Sequence, residues 1–341
     1  MSVTIRDVAR EAGVSISTVS KVINRSPTIS QATIDNVHVI MERLEYTPNQ
    51  RAANFARAST RNISFLTNFK KGMVYEAPHI FEMICGVQNE LEKNGYTLTL
   101  VDTSHEEKEA ETVRKIIMQK SSDGIIIESE SINRSSADFI IQKEFPHIIA
   151  GKPNFEHSIS WIDTNNVLSG EVAAQHLYQC GYKCISFIGD KSGSVISSSR
   201  LQGVQSFLLE HDTELMEDHI HCINNSVEES YKAMLSLLKS KNPPDSVICE
   251  NNLIAVGIFR ALEKSGINVP KKLGVIIIDD YPYSRIINPS PTVVNINIYD
   301  MGVEIVKALM RKIKNPALQL QAYTTLPELI KRESTTSQLT S

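Results

Sequence analysis

Nowhere in its 341 residues does this chain hold an uninterrupted apolar run of the roughly 18 residues that a membrane-spanning helix requires, so no membrane passage is expected. Its first ten residues, MSVTIRDVAR, carry charge and lack an apolar segment, which argues against a secretory leader and for the cytoplasm. The five cysteines (Cys85, Cys180, Cys184, Cys222 and Cys249) are odd in number and form no C-x-x-C pair. They read as small buried hydrophobes in a reducing compartment. His219, His221 and Cys222 lack an evident fourth ligand, so no metal is expected. Gly189-Asp190-Lys191-Ser192-Gly193 lacks the G-x-x-x-x-G-K spacing of a phosphate-binding loop. The carboxylate pairs Glu128/Glu130 and Asp279/Asp280 invite comparison with glycosidases, but neighbours such as 279 and 280 at a strand end point apart. No catalytic residue and no cofactor are expected; a carbohydrate-active or other α/β enzyme is the alternative from another class.

Basic residues are not in excess either, since the formal net charge is −4. Their distribution is uneven, however. Residues 1–61 hold eight Lys/Arg and five Asp/Glu, a balance of +3, which leaves −7 on the remaining 280. A positive head on a negative body approaches a polyanion with the correct end first. The length suggests two or three folding units.

Three short helices are legible in the head. Thr4 and Asp7 form a T-x-x-D capping box, Ile5, Val8, Ala9 and Ala12 follow at helical spacing, and Gly13 supplies a left-handed stop. Ser15 caps a second helix, stapled by Val14 and Val19 and facing inward through Val19, Val22 and Ile23. Ser30 caps a third, with Ile29 placed to staple Ile34 and a stripe of Ile34, Val37, Met41 and Leu44. Helix, glycine turn, capped helix is the helix-turn-helix pattern of DNA readers; a three-helix protein-interaction module is the alternative on spacing alone. Ile16 and Ser17 would open the second helix, where recognition helices reach base edges. Lys21 could donate to guanine or phosphate, and Ile16 could touch a thymine methyl.

The run TIRDVAREAGVSISTVSKVIN, with Tyr46-Thr47-Pro48-Asn49 followed by Arg51-Ala52, closely resembles the head of the LacI/GalR family of bacterial repressors. The resemblance implies that Ile16, Ser17 and Lys21 stand at specificity positions, with Thr4, Ser15, Thr18 and Asn24 close by on phosphate or base. It also gives meaning to the alanine-rich segment Gln50 to Arg57, capped by Asn49. Eight residues are too few for a stable isolated helix, which needs about 12–15. Hinge helices of the family pair across a dimer and wedge an apolar side chain into the minor groove, and Phe55 stands where leucine is usual. The alternative is a linker whose Phe55 packs on the body. Glu45 replaces a common glycine, and if its backbone is left-handed it costs about 1 kcal/mol.

Beyond the head, apolar strand-like segments alternate with helical ones: Ile63–Thr67, Thr97–Val101, Ile125–Glu128, Ile148–Ala150, Ile185–Ile188, Val247–Cys249 and Val275–Ile278. Helices end at Asn94-Gly95, Cys180-Gly181 and Ser265-Gly266. The pattern predicts doubly wound parallel sheets. Gly86, Gly95-Tyr96, Asp123 to Ile126, Ser199 to Gly203, Asn251 to Gly257, Asp279-Asp280, Pro291-Thr292, Leu326 to Leu329 and Arg332 to Ser334 also match the family. Its body resembles periplasmic sugar-binding proteins. The expected fold is thus an N-terminal all-α helix-turn-helix head (1–60: helix-turn-helix about 4–24, third helix 30–45, hinge helix 49–57) and a two-lobed type I periplasmic-binding-protein-like α/β domain (61–334). Lobe one would be about 62–160 and 293–322, lobe two about 162–292 and 323–333, with a disordered tail at 335–341.

Ligands of open α/β lobes bind at the carboxyl ends of strands. Arg200, whose guanidinium can grip vicinal hydroxyls or a carboxylate, Asn252, where the family usually has aspartate, and Asp279 are the candidate effector contacts. His79 and Ile80 stand where the first lobe often supplies an aromatic. Ile277-Ile278 replace a usual Gly-Phe and would alter the pocket wall. Arg200 and Asp279 could instead serve salt bridges or caps, and Asn252 a plain helix cap. The implied function is sequence-specific transcription regulation, expected to be repression. A homodimer would bind a pseudo-palindromic operator, with affinity set by a sugar between the lobes. A nucleobase, nucleoside or protein coregulator is the alternative effector.

Overall fold

The computed structural model describes residues 3–23, 26–46, 59–104, 106–191 and 195–335. The expected hinge helix at 49–57, with Asn49 and Phe55, lies outside the described residues, as do Asn24 and the tail from 336 onward. The chain divides into two compact units, Met1–Arg61 and Asn62–Ser341. Among the described residues no helix is long and apolar enough to cross a membrane.

Among the described residues the head holds α1 (Ile5–Ala12), α2 (Ile16–Ile23) and α3 (Gln31–Arg43). Asp7 accepts from both the backbone N–H (3.0 Å) and the hydroxyl (2.7 Å) of Thr4, which fixes the first turn. Gly13, at φ 65°, ends α1, and the Val14 N–H reaches back to the Ala9 carbonyl. Ser15 Oγ accepts from the Thr18 N–H at 3.1 Å and starts α2; Ser30 does the same for α3 through the Thr33 N–H. Val8, Ala9, Val19, Val22, Val37 and Ile40 bury together, and Val14, Ile29 and Ile34 pack on them as the staples require. Each fully buried valine contributes roughly 1.5 kcal/mol or more. Glu45 is left-handed at φ 51°, closing α3 with its N–H on the Glu42 carbonyl.

The body holds two six-stranded sheets. The first contains β1 (Asn62–Thr67), β2 (Thr97–Asp102), β3 (Gly124–Glu128), β4 (His147–Ala150), β5 (Trp161–Thr164) and β11 (Gln321–Thr325), in the order β11-β5-β4-β3-β1-β2. The second contains β6 (Ile185–Asp190), β7 (Ile220–Ile223), β8 (Ser246–Cys249), β9 (Gly274–Ile278), β10 (Thr292–Asn295) and β12 (Glu328–Ile330), in the order β12-β10-β9-β8-β6-β7. Every pairing is parallel except that of β10 with β12. Parallel strands need crossover helices, which cover both faces. Ile125, Ile126 and Ile127 are therefore all fully buried although they alternate sides. The helices are α4 (Met73–Glu76), α5 (Pro78–Lys93), α6 (Glu106–Gln119), α7 (Arg134–Gln142), α8 (Asn166–Gln179), α9 (Val195–Glu210), α10 (Val227–Leu238), α11 (Asn252–Lys264) and α12 (Ile298–Lys314).

All seven strands expected from isoleucine and valine runs are present. Strands β5, β7, β10, β11 and β12 were not legible, because they are three to five residues long and carry polar residues such as Asp163, His221 and Asn295. Their places move the lobe boundaries. β10 belongs to the second sheet, although residues from 293 were expected in lobe one. β11 belongs to the first, although residues from 323 were expected in lobe two. The chain crosses between sheets after Thr164, between Asn295 and Ile298, and between Thr325 and Glu328. Thr325 Oγ1 donates to the Ile296 carbonyl and ties two of the crossings. The start of the expected tail is also ordered. Thr335 is buried with its hydroxyl on His176 Nε2 (2.8 Å), and Ser334 Oγ accepts from the Thr292 N–H (2.7 Å), so these hydroxyls satisfy the edge of the second lobe.

Candidate functional site

In the head, the face of α2 opposite Val19 and Val22 is presented to solvent. Ile16, 45% exposed, and Ser17 occupy its first two positions, and Lys21 is exposed one turn further on. Ser15 Oγ lies 2.7 Å from Ser17 Oγ and 2.9 Å from Thr18 Oγ1, so three hydroxyls cluster at the helix start. A helix N-terminus with clustered hydroxyls and no acidic residue suits a phosphate or base edge. The Thr4 hydroxyl donates to Asp7 within the capping box, and Thr4 is exposed at the start of α1.

In the body, the carboxyl ends of β1, β3, β5, β6, β8 and β9 converge on a cavity of about 320 Å³ walled by both lobes. Each sheet reverses strand order there, between β1 and β3 and between β6 and β8, which splays the following loops apart. Arg200, on the second turn of α9, lines it and is 6% exposed. Its Nε donates to Asn166 Oδ1 (3.1 Å) and its Nη1 to the Glu250 carbonyl (2.8 Å). That leaves Nη2 without a partner among the described residues. Burial lowers the Arg200 pKa, while Glu250, Asp279 and Asp163 oppose that shift. The guanidinium can come this close to α8 because Gly170 and Gly203 occupy the crossing of α8 and α9. A Cβ on Gly170 would meet the Arg200 carbonyl oxygen at 1.9 Å.

Asp279 also lines the cavity, on a left-handed backbone at φ 84° that only a few non-glycine residues adopt. Burial pushes its carboxyl up to about 6, with Arg200 pulling the other way. Its neighbour Asp280 turns away, and Arg285 Nη2 (2.6 Å) and Arg332 Nη1 (2.6 Å) hold it. His79 and Ile80, at the start of α5, complete the first-lobe wall. Burial, then Arg200, depresses His79 to about 4, so it is a neutral ring at pH 7.

Two expected placements are corrected. Asn252 does not line the cavity: its Nδ2 donates to the Asp279 carbonyl (2.9 Å) and its Oδ1 accepts from the Ser284 N–H (2.7 Å). It shapes the loop that carries Asp279, and Asn251, which caps α11, is the lining residue. Ile277 and Ile278 are fully buried in the cores on the two faces of the second sheet and form no part of the wall. Sequence reasoning missed Asp163, Asn166, Asp190 and Glu250, and set Glu128 and Glu130 aside; all six line the cavity. The signal was available, since each ends a strand or follows one closely. Glu250 accepts from Ser197 Oγ (2.7 Å) and the Asp190 N–H (2.5 Å), and burial raises its pKa. Glu128 accepts from the Thr67 hydroxyl, and burial pushes it up to about 7.

Residues 4–49 match the model of bacterial regulatory proteins of the lacI family, and residues 174–335 match the periplasmic binding protein-like domain. The chain joins a lacI-family head to a periplasmic-binding-protein-like body. Over 335 residues it is 28% identical to the HTH-type transcriptional repressor PurR of Actinobacillus pleuropneumoniae serotype 3 (strain JL03), covering 97% of this chain and 98% of that one. Among solved structures, a complex of the transcriptional regulator CelR with cellobiose aligns at a TM-score of 0.73 and 25% identity, over 97% of this chain and 99% of that chain. The lac repressor dimer bound to operator and the anti-inducer ONPF aligns at 0.81 over 98% and 100%; at 21% identity this is a likeness of fold. In the lacI-type head the capped, exposed start of α2 is thus the candidate DNA reader, and in the body the cleft between the sheets is the candidate sensor.

Proposed function

We propose that this chain is a DNA-binding repressor, acting as a homodimer on a pseudo-palindromic operator, whose affinity is set by a small polar effector held between the two lobes. The observation that carries the reading is a polar cavity walled by both lobes in a chain that begins with a lacI-type helix-turn-helix. Ile16, Ser17 and Lys21 read bases, while Ser15 and Thr18 serve the backbone. Arg200 and Asp279 grip the effector from the second lobe, and His79 and Ile80 close on it from the first. A ligand that bridges the lobes favours one relative angle, and it shifts DNA affinity only by its unequal affinity for the two states.

A sugar suits the cavity better than a nucleobase. Its volume lies at the small end of the range for ligand pockets, about 300–1,000 Å³. Its lining is rich in carboxylates and amides, and no Phe, Tyr or Trp is among the described lining residues to stack on a base. The test selects an operator with the full chain and measures affinity with and without a sugar panel. Lys21→Ala should lose about 1–3 kcal/mol on the operator if it reads a base. Arg200→Ala should bind the operator normally and ignore the effector. An unselective protein, or an Arg200→Ala variant with an intact response, would refute the corresponding half.

A further inference from the structure

The charges in the cavity are unbalanced. Around the Arg200 guanidinium stand three carboxylates, Glu250, Asp279 and Asp163. On the remaining wall Glu128 and Glu130 face one exposed ammonium, that of Lys70, and His79 adds no charge. The unused hydrogen-bonding capacity has the same sense. Glu128 Oε1 and both oxygens of Glu130 lack partners among the described residues. Asn68 Oδ1, on the same cavity, is a buried acceptor with no partner. Besides Arg200 Nη2 and Lys70, the donors on the described wall, such as the His79 ring, the Ser129 and Thr164 hydroxyls and the Asn68 amide, are neutral, so a ligand still meets an excess of negative charge. A phosphate or carboxylate would set acceptor against acceptor. Neutral hydroxyls would satisfy the acceptors but leave the carboxylate charge uncompensated in a half-buried site. An ammonium group supplies three donors and the missing charge together.

Resting on the reading of this cavity as the effector site, we propose that the effector is an amine-bearing polyhydroxyl compound, in simplest form an amino sugar, with its ammonium group against Glu128 and Glu130 and its hydroxyls toward Arg200 and Asn68. The geometry assigns Glu130 as the specificity residue for the amine. It is exposed at the cavity edge, so its replacement does not threaten the fold.

The test is calorimetric titration and thermal shift of the full chain with glucosamine, galactosamine and mannosamine, their N-acetyl forms, the parent neutral sugars and the 6-phosphates. At least one free amine should bind about tenfold or more tightly than its N-acetyl and neutral counterparts, and the phosphates should not bind. Glu130→Gln should weaken that amine about fivefold and leave neutral sugars unchanged. A neutral or phosphorylated sugar that binds as tightly as every amine overturns the charge inference while keeping the sensor reading, provided Arg200→Ala abolishes that binding. A panel in which nothing binds removes both.

Discussion

Replacing Gly170 by alanine should part α8 from α9 and carry Arg200 out of the site. The added Cβ would stand 1.9 Å from the Arg200 carbonyl oxygen, where ordinary contact begins near 3.4 Å. Neither partner is a movable side-chain tip, so the helices must separate by about 1.5 Å, an overpacking that costs about 1–3 kcal/mol. The same movement stretches the 3.1 Å bond from Arg200 Nε to Asn166 beyond hydrogen-bond reach. A hydrogen bond to a charged group is worth about 1.5–3 kcal/mol, so the combined loss is about 2.5–6 kcal/mol. Urea unfolding followed by circular dichroism should read that loss, with a fall in melting temperature on the order of 10 °C. Gly203→Ala probes the same crossing from the other helix, since its Cβ would meet the Val167 carbonyl oxygen at 1.9 Å. One separation relieves both clashes, so the double variant should lose clearly less than the sum of the singles. Single variants within about 0.5 kcal/mol of the parent, or a strictly additive double, would refute the reasoning.

Three further outcomes are expected. Glu45→Gly should stabilise the head by about 1 kcal/mol, because a left-handed residue with a Cβ is strained; the head transition in calorimetry of the full chain should rise by about 4–8 °C, and no rise would reject the strain. Asn252→Asp should destabilise the body by about 1–3 kcal/mol, since a carboxylate oxygen would replace the donor that meets the Asp279 carbonyl, and urea titration at pH 8 showing parental stability would exclude that role. Glu128→Gln should stabilise the body most at pH 8. With its pKa raised to about 7, Glu128 holds its proton more tightly folded than unfolded, so its charge opposes folding above pH 7 and the opposition fades as pH falls through that value. A gain in melting temperature that is equal at pH 8 and pH 5 would rule this out.

Local order is what the chain states most directly. The Thr4 and Asp7 box, the Ser15 and Ser30 caps and the stop at Gly13 are short-range choices, each completed within a few residues by hydrogen bonds of the backbone. The seven principal strands were equally legible, because burial on both faces demands unbroken runs such as Ile125 to Ile127. Arg200 and Asp279 were visible because each lies beside a strand-end or helix-start signal.

The site as a whole was a tertiary decision. Asn252 and Asn251 are indistinguishable in sequence, yet one is spent on the Asp279 carbonyl and the Ser284 N–H while the other lines the cavity. Asp279 and Asp280 are adjacent, and only the positions of Arg285 and Arg332 turn the second away from the cleft. The acidic wall draws Glu128 and Glu130 from one sheet and Asp190 and Glu250 from the other. Short polar strands such as β10 and β11 fix which sheet each crossing serves, and β11 pairs with a strand about 160 residues away. Caps and periodicity act over single turns and are written in neighbouring residues. Charge balance and lobe membership depend on which distant strand ends converge, and only the closed tertiary topology sets that.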